Sequence, residues 1–254
     1  MSLHSRMRPP AISMKTVFLQ LWIGFCATSI MLAQDDDKHE TRQAKGRVAW
    51  FVYTSVPEGL ENPVSVMSGK DISQVLLSKL SPSDPVKIPA DGILRVVRKI
   101  ENPQDSKKPE YLTLAQAIVP ATVTEAIIIL MPVAKNSNGL LFRAKVQDLA
   151  ALKGGDTMFL NMTNLKIGVE LGEAKIKIEP GQANIHNPLG ASKSVSLPIR
   201  LSYFHPERQE WAMITASTVA LYSTRREMCI FNWDTRFNRV DYESITFPVR
   251  VTNP

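Results

Sequence analysis

From Arg47 onward the apolar positions fall into short runs separated by turn formers, and within most runs they alternate with polar ones. RVAWFVYTS (47–55) is rich in aromatic and β-branched residues and stops at Pro57 and Gly59, which predicts a strand with a breaker after it. VSVMS (64–68), ILRVVRKIE (93–101), YLTLAQAIVP (111–120), TEAIIILMPV (124–133) and LLFRAKV (140–146) read in the same way. Ile127, Ile128 and Ile129 in succession predict a strand covered on both faces, because a half-solvated strand would alternate.

The clearest alternation lies in MFLNMTNLKIGVELGEAKIKIEPGQ (158–182). Ile167, Val169 and Leu171 face one way while Lys166, Gly168 and Glu170 face the other. After a turn around Gly172, Ile176 and Ile178 alternate with Lys175, Lys177 and Glu179. The pattern predicts a hairpin with one wet face, stopped by Pro180-Gly181, and assigns the stretch to scaffold. Beyond it SVSLPIRLSYF (194–204), WAMITASTVAL (211–221), REMCIFNW (226–233) and RVDYESI (239–245) predict further strands.

Two segments break the pattern. In DISQVLLSKL (71–80), Ile72, Val75, Leu76 and Lys79 stand at helical spacing with Asp71 as an N-cap, so the segment reads as a helix or as a buried strand. DLAALKGGD (148–156) reads as a short helix or a break between two β units. Strands at about 8 to 12 residue spacing, with turn residues between them and no fixed-period repeat, predict an all-β, mainly antiparallel β-sandwich. At most one or two short helices are expected. The boundaries are 47–150 for an N-terminal β unit and 151–254 for a C-terminal one, or one domain over 47–254.

The N-terminus changes the picture of charge and compartment. Arg6, Arg8 and Lys15 precede an apolar run from Val17 to Ala33, and no acid occurs before Asp35, the layout of a secretory signal over 1–33. Cutting after Ala33 or after Ser29 are the two candidate cleavages. An uncleaved anchor would need about 20 apolar residues, slightly more than the run supplies. Residues 34–46 are polar and aperiodic, as a tether is. Loss of the three cations with the signal lowers the formal charge from +6 to +3. That balance, without a clustered basic face, does not point to nucleic acid. Of the two cysteines, Cys26 goes with the signal and Cys229 remains, so no intramolecular disulfide forms in the mature chain.

Residues 156–247 carry a resemblance. FLNMTNLKIGVELGEAKIKIEPGQ, then LSYFHPERQEW, then REMCIFNW with its Asp-led turn DTRFN and RVDYESI, resemble a group of small exported proteins predicted from planctomycete and verrucomicrobial genomes. The resemblance implies a β fold and export, and no catalytic residues. This chain departs from the group's basic-aromatic final strand by carrying Asp241 and Glu243.

The search for chemistry yields little. His39, His186 and His205 are scattered, with no H-E-x-x-H and no Cys pair, so no metal site is expected. No G-x-S-x-G, phosphate-cradling glycine loop or dinucleotide fingerprint occurs, so neither a catalytic constellation nor a cofactor is expected. His205 with Glu207 and Glu210, or Asp241 with Glu243, could supply acid and base groups, although charged hairpin faces explain them equally well. The sequon Asn161-Met162-Thr163 is a glycosylation acceptor only along a eukaryotic secretory route. The cluster that stands out is C-terminal: Trp211, Trp233 and Phe237 interleaved with Arg236 and Arg239. Rings with a polar rim bind sugars or anchor protein interfaces.

The expectation is therefore an exported, non-catalytic structural or adaptor module, periplasmic or at the cell surface. It would bind another envelope protein through a sheet edge or the C-terminal hairpin. The alternative is a carbohydrate-binding module that uses the exposed rings on a glycan. A membrane contact is expected only if the N-terminal segment stays uncleaved.

Overall fold

The computed structural model describes residues 46–101, 109–133 and 139–249. The signal expected over 1–33 and nearly all of the tether expected over 34–46 lie outside the described residues. The described chain is all-β, with sixteen strands. The first eight are β1 (Val48–Tyr53), β2 (Val64–Ser68), β3 (Asp71–Val75), β4 (Val86–Lys87), β5 (Ile93–Ile100), β6 (Glu110–Ile118), β7 (Glu125–Pro132) and β8 (Phe142–Asp148). The second eight are β9 (Thr157–Asn161), β10 (Ile167–Leu171), β11 (Ala174–Ile178), β12 (Ala183–His186), β13 (Ser194–His205), β14 (Glu210–Tyr222), β15 (Arg225–Asp234) and β16 (Arg239–Pro248).

These strands form four sheets of four, and the second half repeats the topology of the first. The N-terminal sheets run β4-β1-β7-β8 and β3-β2-β5-β6; the C-terminal sheets run β12-β9-β15-β16 and β11-β10-β13-β14, the same orders advanced by eight strands. The details repeat as well. β1 pairs parallel with β7, as β9 does with β15. The β5–β6 ladder slips register between Val96 and Val97, and the β13–β14 ladder between Leu201 and Ser202, the sign of a bulge. No period is visible in the sequence because the repeat is one of strand order and pairing; the apolar pattern that specifies it is met by different residues in each half.

Three apolar cores stack the four sheets in layers. Ala49, Phe51, Ile128 and Leu130 of the β4-β1-β7-β8 sheet pack on Val64, Val66, Leu94 and Val96 of its N-terminal partner. The opposite face of the same sheet, with Val52, Ile127, Ile129 and Met131, packs on Met158, Leu160, Met228 and Ile230. Phe159, Cys229 and Phe231 then face the β11-β10-β13-β14 sheet through Ile167, Val169 and Leu201. The inner strands β1, β7, β9 and β15 of the two central sheets are thus largely covered on both faces. That accounts for the Ile127-Ile128-Ile129 run, in which all three residues are fully buried.

The hairpin read at 167–178 is present, with Ile167 opposite Ile178 and Leu171 opposite Ala174, and Gly172 takes φ +58° in its two-residue turn. Two expectations are corrected. Asp71–Val75 is neither helix nor buried strand: it is β3, an exposed edge that returns from β2 after Gly69 and Lys70, with only Val75 buried. Pairing with β2 over five residues outweighs a helical spacing too short to nucleate a helix. Residues 149–156 form turns and not a helix. Here the Leu149 amide donates to Glu125 O, the Leu152 amide to Leu149 O and the Gly155 amide to Arg225 O.

The sequon is corrected too. Asn161 is fully buried; its Nδ2 donates to Leu165 O at 2.7 Å and Ile178 O at 3.1 Å, and its Oδ1 accepts from Thr163. The motif pins the loop between β9 and β10 and offers no acceptor to solvent.

Candidate functional site

The expected ligand-binding residues separate into two places. Trp211 stands near the start of β14, 43% exposed, with its ring edge-on to Phe204 at 5.6 Å between centroids. It lies over Gly168 on the outer face of the β11-β10-β13-β14 sheet: a Cβ at Gly168 would sit 3.0 Å from the indole. Lys175, Lys177, Arg200 and Met213 border the shallow hollow beside it.

Trp233, Arg236, Phe237 and Arg239 belong to the β15–β16 hairpin. Trp233 is 40% and Phe237 55% exposed. The Arg236 guanidinium lies 4.3 Å from the Phe237 ring centroid and that of Arg239 5.3 Å, so two cations use this ring. The three rings expected to be available are exposed, but they do not line one surface: Trp211 and Trp233 border different hollows.

Trp233 borders a cleft of ≈ 560 Å³ between the two sandwiches. From the N-terminal half Thr54, Ser55, Lys79 and Arg143 face it; from the C-terminal half Asn232, Trp233, Asp234 and Asp241 do. Lys79 reaches across to Glu243 of β16 at 2.9 Å. Asp234 uses one oxygen, Oδ1, to accept the amides of Arg236 and Phe237 in the hairpin turn. Desolvation pushes its carboxyl up, but those two amides and the charges of Arg236 and Lys79 outweigh it and hold the group below the usual range. It stays ionised. The Arg143 guanidinium makes a long contact with the Met131 sulfur at 3.8 Å, and the buried Nδ2 of Asn232 has no hydrogen-bond partner.

The acid–base candidates are brought only partly together. His205 and Glu207 border a hollow with Tyr203 and Trp233, whereas Glu210 turns to Arg208 at 3.3 Å. His205 Nδ1 faces the Arg208 amide at 3.4 Å within its own turn. Asp241 faces the seam cleft, while Glu243 is engaged by Lys79. Among the described residues no group of three His, Cys, Asp or Glu side chains is placed to hold a metal ion.

Sequence reasoning passed over a third feature, the edge of β14, which has no partner strand among the described residues. This strand ends its sheet, runs thirteen residues, and from Trp211 to Tyr222 contains no charge and no proline. In the N-terminal half the corresponding edges, β6 and β8, touch, and the Leu141 amide donates to Leu114 O at 2.9 Å. No comparable contact joins β14 to β16. Between them opens an apolar cavity of ≈ 200 Å³, walled by Leu201, Cys229 and Tyr242 among others. Ser217 points inward by alternation with Val219 and Leu221 yet is exposed, as is Ser244 opposite. The signal that could have revealed this edge is WAMITASTVALY itself, a long strand without the Lys, Glu or Pro that usually blunts an edge.

No protein-family model matches the chain, and no curated protein matches it.

Proposed function

We propose that the chain is an exported, non-catalytic adaptor of the cell envelope that binds a partner protein by strand addition at β14. The observation that supports this reading is the edge of β14, uncharged from Trp211 to Tyr222 and unpaired among the described residues, beside an open sandwich. A free edge presents a row of amide donors and carbonyl acceptors, and an extended segment laid along it satisfies them at little cost in rearrangement. The partner strand's inward side chains would enter the cavity walled by Leu201, Cys229 and Tyr242. Its outward ones would meet Met213 and Tyr222, which are 65% and 42% exposed.

Native proteins rarely leave such an edge bare without a reason, since it invites pairing with any extended chain. The charge pattern agrees: a partner that meets no charge from Trp211 to Tyr222 is selected by backbone pairing and apolar knobs.

The test is site-specific photocrosslinking in the native host. A photoreactive residue at Thr218 should give one discrete adduct, and the added substitution Ala220→Lys should abolish it. A probe at Lys70, on the distant β2–β3 turn, should give none. Absence of an adduct at Thr218, or equal adducts at both positions, would overturn the reading.

A further inference from the structure

We propose that the cleft between the two sandwiches is a second binding site, for a neutral sugar residue. It stands apart from the strand-addition reading, since none of its groups lies on β14. Three observations carry it: where the cleft is, what its groups can do, and how its charges balance.

Clefts where two units meet are a preferred place for small ligands, and ≈ 560 Å³ lies within the usual range of roughly 300–1,000 Å³ for such sites. Both sandwiches contribute walls, and the salt bridge from Lys79 to Glu243 ties those walls together on one side. The two walls are therefore tied together across a packed interface.

The lining pairs one aromatic face with planar polar groups. The half-exposed Trp233 indole offers a negative π-face on which the C–H groups of a pyranose ring, slightly positive, can lie. Around it stand acceptors and donors with capacity to spare. Asp234 commits its Oδ1 to the turn and Asp241 gives its Oδ1 to the Tyr242 amide, which leaves each carboxylate a second oxygen. Arg143 brings five N–H donors and uses one on a sulfur. Hydroxyl groups both donate and accept, so a polyol can satisfy such a mixed rim.

The charges select against an ion. Lys79 is matched by Glu243, and Arg143 and Arg236 are matched by Asp234 and Asp241. A phosphate would meet two carboxylates and a cation two guanidinium groups, so a neutral polar ligand is the one that meets no like-charge repulsion on entry.

The experiment is saturation-transfer NMR on the full chain with the methyl glycosides of glucose, galactose, mannose and N-acetylglucosamine as probes. At least one should receive saturation, strongest on the C–H protons of one ring face, with a Kd on the order of millimolar. Trp233→Ala should weaken that binding at least about tenfold, an effect typical of an aromatic anchor, while Trp211→Ala leaves it unchanged. Ser55→Trp, which fills the cleft from an exposed position on the N-terminal wall, should also abolish it and guards against a folding defect in the first variant. No transfer to any of the four probes at tens of millimolar, retention of binding in Ser55→Trp, or loss that follows Trp211 in place of Trp233 would each overturn the proposal.

Discussion

Arg226 of β15 crosses the seam between the two sandwiches and meets Glu125 of β7 at 3.2 Å, with 8% and 15% of the two side chains exposed. Its other donors reach Leu149 O at 3.1 Å and Pro248 O at 3.0 Å, so one guanidinium holds two β strands and the turn that joins the halves. Removing one member of such a pair takes an opposite charge from the other where water is scarce, which typically costs about 3–5 kcal/mol. Arg226→Ala should lower the urea midpoint accordingly. The double variant Arg226→Met with Glu125→Gln should recover a large part of the loss, because no uncompensated charge remains. Equal losses in the single and double variants would show that the pair is not what binds the halves.

Thr157 opens β9 and is buried, yet its hydroxyl has no hydrogen-bond partner. An unsatisfied buried hydroxyl costs roughly 1–3 kcal/mol, and valine keeps nearly the same shape without it. Thr157→Val is expected to raise the unfolding free energy by about 1 kcal/mol, read from equilibrium urea curves. A destabilised variant would mean that water or another group satisfies the hydroxyl in solution.

How far these features could be read in the sequence depends on what sets them. Strand existence was legible, because an alternation such as Ile167-Val169-Leu171 or a run such as Ile127-Ile128-Ile129 follows directly from which faces meet water. β3 was misread because five residues supply too little period to tell a helix from an edge strand, and the register with β2 is a tertiary fact. The candidate site was legible as residue types only. Trp233 and Phe237 stand out by type and lie exposed on the β15–β16 hairpin, but the cleft beside Trp233 depends on Lys79 and Arg143 arriving from the other sandwich. Nothing in the local sequence of either residue encodes that meeting. The open side of the C-terminal sandwich is equally a comparison between halves, visible only when β6–β8 and β14–β16 are set side by side.

Glu227 lines the mouth of the cavity in the C-terminal sandwich, and burial pushes its carboxyl above the usual range, against the opposing pull of the Thr246 hydroxyl, 2.7 Å away, and the Arg225 charge. A carboxyl whose folded pKa is raised stabilises the fold below its ordinary pKa, and that contribution is lost as the pH rises through the folded value. At pH 7 the native state must carry a half-buried charge. Glu227→Gln, which can still accept from Thr246, should therefore be more stable than the wild type at pH 7 and lose that advantage towards pH 4. Urea midpoints for the two proteins across this range measure the gap; a gap that narrows as the pH rises would contradict the assigned cause.

Gly154 and Gly168 separate a backbone constraint from a side-chain one. A Cβ at Gly154 would lie 1.9 Å from the Ser223 carbonyl oxygen, so the turn between the two halves would have to move against the hydrogen bond that the Gly155 amide makes to Arg225 O. At Gly168 the obstacles are the Ser202 hydroxyl at 2.7 Å and the Trp211 ring at 3.0 Å, both able to rotate away. Gly154→Ala should accordingly cost more than the ~1–3 kcal/mol usual for overpacking, and Gly168→Ala should stay within that range. The second variant has its own spectroscopic mark: displaced from the sheet, Trp211 should gain exposure and shift its fluorescence to the red, whereas Gly154→Ala leaves that signal in place while folded. If Gly168→Ala proves the costlier of the two, or leaves Trp211 unmoved, the indole is not seated on the sheet as described.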